Sequence, residues 1–195
     1  MRRSVGFFLV LLSVTPVTLA QVPPSTAAAP PATVTSAAAA VAPAGWKPFS
    51  DLAWLVGHWS GTTASGSRIG GRVVRFSMEL SGNTLMERGS TIFPAEEGKP
   101  EESLEEIGIW TYDRERRKYV ASYFFSTGVS GAFEAEIRED GSIRLVAPAL
   151  LNYEAGARAR LTLRKAGETG LEIAMDLAPP GKEFVAYQAS SLKKK

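Results

Sequence analysis

The chain has 195 residues, a formal net charge of +2 and no cysteine. That length suits one domain with appendages, and without cysteine no disulfide can staple the fold, so it must stand on its core. Taking Arg2 and Arg3 out of the 22 Lys+Arg leaves 20 against 20 Asp+Glu, so the rest of the chain is balanced and lacks the clustered positive surface that nucleic acid requires.

Residues 1–20 read as a secretory signal peptide. Arg2-Arg3 is the positive end, Val5 to Leu12 the apolar run, and Thr18-Leu19-Ala20 a small-residue cleavage site. The apolar run is too short for a transmembrane helix, so no membrane span is expected, and the protein is expected to be exported, to the periplasm or beyond. Residues 21–45 contain Ala, Pro, Ser, Thr and Val without a single charge, which is the composition of a disordered linker. The folded domain is expected over residues 46–195. Ser50 is placed as the N-cap of a short helix, with Asp51 in its first turn and Gly57 closing it.

After Gly57 the hydrophobic period changes to two. Ten strand-like runs follow: His58–Ala64, Arg68–Leu80, Thr84–Phe93, Leu104–Tyr112, Lys118–Thr127, Ser130–Arg138, Ser142–Ala147, Ala157–Arg164, Leu171–Asp176 and Glu183–Leu192. Short polar connections join them, Asp140-Gly141 being the strongest hairpin signal. Short connections mean an antiparallel meander, without βαβ crossovers. The predicted class is all-β: an antiparallel up-and-down β-barrel of about ten strands with a short N-terminal helix, because closure removes exposed edges. A two-sheet sandwich is the alternative.

The run Trp54-Leu55-Val56-Gly57-His58-Trp59-Ser60-Gly61, followed by Gly108-Ile109-Trp110-Thr111-Tyr112-Asp113 and the Lys118-Tyr119-Val120 hairpin, resembles the start and middle of a calycin barrel. It is most similar to secreted bacterial nitrobindin-like and related lipocalin-like domains. The resemblance spans about Trp46 to Leu192 and implies a barrel with an apolar interior. Nitrobindins are haem proteins whose iron is held by a histidine near the C-terminal strand. The matching stretch here, Phe184 to Ser190, has none, and the single histidine of the chain is His58. Tyr187 is the one group there that could meet ferric iron, as a phenolate. No cofactor is therefore expected.

One histidine and no cysteine cannot build a usual zinc or copper site. The six glutamates between Glu96 and Glu106 lack the spacing of a calcium loop and read as a solvated acidic segment, whose charge repels anions near one barrel mouth. His58 and Ser60 share one strand face but have no nucleophile elbow or third group around them, so no catalytic residue is assigned and no enzyme is expected. The expected function is non-catalytic binding of a small apolar molecule inside the barrel. Trp59, Phe76, Met78, Ile109, Tyr123, Phe125, Phe133, Met175 and Tyr187 are the expected lining, since ten strands enclose more room than eight. The alternatives are a structural or protein-interaction module of the cell envelope and haem or nitric-oxide binding of nitrobindin type.

Overall fold

The structure, a computed structural model, describes residues 47–195. The expected signal peptide and linker fall outside the described residues. A 3-10 turn, Ser50–Leu55, leads into β1 (Gly57–Ser65), β2 (Arg68–Glu79), β3 (Thr84–Phe93), β4 (Glu102–Asp113), β5 (Lys118–Phe125) and β6 (Ser130–Ile137). There follow β7 (Ile143–Ala147), β8 (Leu150–Leu151), β9 (Arg158–Ala166), β10 (Gly170–Ala178) and β11 (Val185–Lys194).

Every described pairing between strands is antiparallel. The order runs β5-β4-β3-β2-β1-β11-β10-β9-β7-β6, and β6 pairs back with β5. This closed ring of ten strands is the expected barrel, and the sandwich is set aside. The first strand pairs with the last, Trp59 opposite Lys194. All ten expected runs became strands. The added β8 is two residues long and continues along β6 where β7 stops, just past Pro148, whose nitrogen cannot donate to a ladder.

The alternation sets the walls. In β9, Ala159, Leu161 and Leu163 are buried while Arg158, Arg160 and Arg164 turn outward. Two strands, β4 and β5, are rich in apolar residues on both faces. Tyr119, Ala121 and Tyr123 of β5 point in, and Phe124 points out, 51% exposed. Gly108 and Trp110 of β4 point in, and Ile109 points out. Ile137, which shares the phase of Phe133 and Ala135 in β6, ends its strand 41% exposed.

The N-terminal element differs from the expected capped helix. Phe49, and not Ser50, occupies the position before the first turn, with no side-chain cap, and Val56 rather than Gly57 closes it through a hydrogen bond to the Ala53 carbonyl. Six residues are too few for a stable α-helix, so tertiary contacts decide the geometry. Phe49, Leu52 and Leu55 are all buried. The Trp59 indole N–H donates to the Leu55 carbonyl at 2.6 Å, and the Tyr119 hydroxyl donates to the Pro48 carbonyl at 2.6 Å. The turn is a plug. With Phe76, Leu85, Leu163 and Leu171, all buried, it fills one end of the barrel.

Candidate functional site

Away from the plug, the inner face carries charge. Arg72, Glu87 and Glu106 occupy inward positions on three neighbouring strands, β2, β3 and β4. Arg72 and Glu87 are buried, and Glu106 is half-buried. Burying a charge is costly unless it is paired and hydrogen-bonded, and the pairing is visible. Arg72 forms an ion pair with Glu106 and donates to the Ser190 hydroxyl at 3.1 Å. Ser190 donates to Thr63 at 2.8 Å, and Gln188 donates to the same Thr63 oxygen at 2.9 Å. One chain of hydrogen bonds thus runs along the inner wall from Gln188 on β11, through β1 and β2, to Glu106 on β4. Beside it, the Tyr123 hydroxyl donates to Glu87.

Two glycines make room for these side chains. A Cβ on Gly89 would stand 2.7 Å from Cγ of Glu106, its partner across β3 and β4. A Cβ on Gly108 would stand 2.8 Å from the Tyr123 ring and 3.3 Å from Cβ of Glu87. Such separations are shorter than ordinary contacts, so the missing side chain at both positions leaves space for polar side chains along the inner wall.

Glu87 is pushed up from its ordinary 4.5 to about 7, first by burial and second by the Glu106 charge, with the Tyr123 hydrogen bond and Arg72 acting the other way. The Tyr123 hydroxyl is pushed well above its ordinary value, by burial first and then by Glu87.

Above this layer, at the end opposite the plug, lies a cavity of about 190 Å³. Its apolar wall includes Leu104, Phe125, Val129, Leu150, Met175 and Leu177, and its polar wall Thr91, Glu102, Glu106, Tyr153, Tyr187 and Gln188. Tyr187 reaches the mouth through a β-bulge. Met175 pairs with Gln188 but Asp176 pairs with Ala186, so Tyr187 is the extra residue of β11. A bulge re-aims the side chain it frees. The Tyr187 hydroxyl is raised by partial burial and then by the Glu102 charge.

Of the nine expected lining residues, the structure brings Phe125, Met175 and Tyr187 to this cavity. Tyr123 and Phe133 are one layer deeper: Tyr123 stacks under Phe125 with centroids 6.2 Å apart and meets the Phe133 ring edge-on at 5.2 Å. Trp59 and Phe76 belong to the filled end, and partly buried Met78 packs beside them. Ile109 does not face the interior, because it is on the outward phase of β4. Sequence reasoning missed Arg72, Glu87 and Glu106, and one signal could have found them. Each has the parity of the apolar residues in its strand: Arg72 with Val74 and Phe76, Glu87 with Leu85, Glu106 with Leu104 and Trp110.

A closed ten-strand antiparallel barrel, plugged at one end and hollow at the other, is the architecture of a ligand-holding β-barrel. The chain belongs to the family described as THAP4-like, heme-binding beta-barrel domain, which it matches over residues 49–194. No curated protein matches it in sequence. Among solved structures it is similar in fold to Rv2717c from M. tuberculosis, at a TM-score of 0.54 and 14% identity, covering 76% of this chain and 97% of that one.

The residues of this site do not fit a haem held by histidine. His58 is exposed on the outer face of β1 at the plugged end, and half-buried Ser60 shares that face. The chain has no other histidine and no cysteine. Tyr187 stands at the mouth, 43% exposed, and with Tyr153 is the part of the lining that could meet iron as a phenolate. The cavity is smaller than the ~300–1,000 Å³ common for drug-sized ligands. Its lining contains two carboxylates and no lysine or arginine to receive haem propionates.

Proposed function

We propose that this protein is a non-catalytic binding protein that holds a small, largely apolar molecule in the open end of its barrel. The cavity carries this reading: an apolar wall of Phe125, Leu104, Met175 and Leu177, laid on a floor where Arg72, Ser190, Thr63 and Glu106 bond to one another. Such a pocket captures a ligand by apolar burial, about 0.8 kcal/mol for each methylene removed from water. Tyr153, Tyr187 and Gln188 at the polar side would orient it. The exported setting is part of the proposal and rests on the apolar run Val5 to Leu12 behind Arg2-Arg3.

Native mass spectrometry of the protein purified from its own cells without detergent is the test. Extra mass that organic extraction removes, and that is absent from a Leu104→Trp variant with the cavity filled, supports the reading. A bare mass that stays bare with added short-chain alcohols and lipids ends it. Haem or nitric-oxide binding is the second reading, favoured by the family alone. Hemin titration tests it directly, since a saturable Soret band lost in Tyr187→Phe would restore haem through a ligand other than histidine.

A further inference from the structure

The cavity's charge is one-sided. Glu102 and Glu106 both line it, whereas Arg68 and Arg72, which pair with them, do not. The two arginines reach the carboxylates from outside the cavity, each through a single carboxylate oxygen: Arg68 holds Oε2 of Glu102 at 2.6 Å, and Arg72 holds Oε1 of Glu106. An ionised carboxylate offers about four acceptor sites and no donor. A ligand entering the cavity therefore meets acceptors first.

Aromatic rings stand around the same space. Phe125, Tyr153 and Tyr187 line it together with the two glutamates. Ring faces attract a cation and repel an anion. The Glu102 charge already extends across the mouth, since it disfavours ionisation of Tyr187. A carboxylate ligand would have to sit beside two carboxylates whose arginine partners lie behind them, with no basic side chain lining the space. An ammonium would find carboxylate oxygens and aromatic rings together.

Resting on the cavity reading above, we infer that the ligand is an organic cation, an apolar body carrying one amine, and that the site discriminates against fatty acids and other apolar anions. Glu102 and Glu106 receive the amine, and the wall of Leu104, Phe125 and Leu177 receives the body.

Three probes of one chain length test this: octylamine, octan-1-ol and octanoate, measured by calorimetry and thermal shift on the purified protein at neutral pH and low salt. Octylamine is expected to bind about tenfold more tightly than octanoate, with octan-1-ol between them. Added salt should weaken the amine and leave the alcohol unchanged. Glu102→Gln, at an exposed rim position that the core does not depend on, should narrow the amine-to-octanoate ratio about threefold while sparing octan-1-ol. Equal binding of all three, or tightest binding of octanoate, overturns the cation inference and leaves the apolar cavity standing. Failure of all three to bind, with wild type and Leu104→Trp indistinguishable, overturns both.

Discussion

The two ends of this barrel are built from the same strands but solve opposite problems. At the plugged end, Phe49, Leu52, Leu55, Trp59, Phe76 and Leu85 are each at most 2% exposed, and the Trp59 indole finds its acceptor within the plug. At the open end, the strands continue past the core, and their inner faces carry Arg72, Glu87, Glu106, Thr63 and Ser190. These groups bond to one another along the inner wall, from β11 through β1 and β2 to β4, and to Tyr123 of β5. Apolar side chains alone would collapse onto each other, since interiors pack to crystal-like density. A crosspiece of hydrogen-bonded polar side chains, with Gly89 and Gly108 giving them space, lies between the filled core and the cavity. The question of a filled or a hollow barrel therefore has a different answer at each end.

The largest expected effect is at the plug. Trp59→Ala removes a buried indole and its hydrogen bond, and should cost about 3–5 kcal/mol in urea unfolding. A loss under ~1 kcal/mol would mean that the turn Ser50–Leu55 is not the closing element of the fold.

The crosspiece should announce itself through pH. Glu87 is raised from 4.5 in the unfolded chain to about 7 in the fold. Below pH 4.5 it is protonated in both states and costs nothing. As pH rises from 4.5 to 7, the unfolded chain releases its proton while the fold retains it, so stability falls, and the full cost is present above pH 7. Glu87→Gln keeps an acceptor for the Tyr123 hydroxyl and removes this cost. The variant should gain on the wild type by about 3 kcal/mol at most between pH 4 and pH 8. Parallel pH profiles would show that Glu87 meets water. Gly89→Ala tests the same layer sterically: its Cβ displaces the Glu106 side chain, and a loss of about 1–3 kcal/mol is expected.

The legibility of the two ends in the sequence differed for the same reason. The plug and walls follow local rules. A period of two, Asp140-Gly141 at a hairpin and Gly57-His58-Trp59 after a short apolar turn each constrain only near neighbours, and the ten strands were readable from them. Closure was readable as the economical way to pair β1 with β11. The crosspiece depends on which residues of distant strands meet. Ser190 and Thr63 are 127 residues apart, and their hydroxyls touch only once the barrel closes. The bulge that frees Tyr187 has no turn residue to mark it. The six glutamates from Glu96 onward looked like one solvated segment, but β4 begins at Glu102, and period-two alternation then sends Glu105 out and Glu106 in.

The smallest effect sharpens the comparison most. Leu177 and Leu163 are both inward leucines of neighbouring strands, β10 and β9, but Leu177 borders the cavity and Leu163 is sealed, 1% exposed. Leu163→Ala opens a void in a filled layer and should cost about 2–5 kcal/mol. Leu177→Ala enlarges a space that already exists, so little packing is lost, and a cost under ~1 kcal/mol is expected. The same change removes part of the apolar wall, so bound octylamine or octan-1-ol should be held less tightly by about 1–2 kcal/mol, since roughly two or three methylene equivalents of contact disappear. A residue that matters more for the ligand than for the fold distinguishes a binding wall from a core. If Leu177→Ala instead destabilised the empty protein as much as Leu163→Ala does, the open end would be a core like the other, and the barrel would have no room to hold anything.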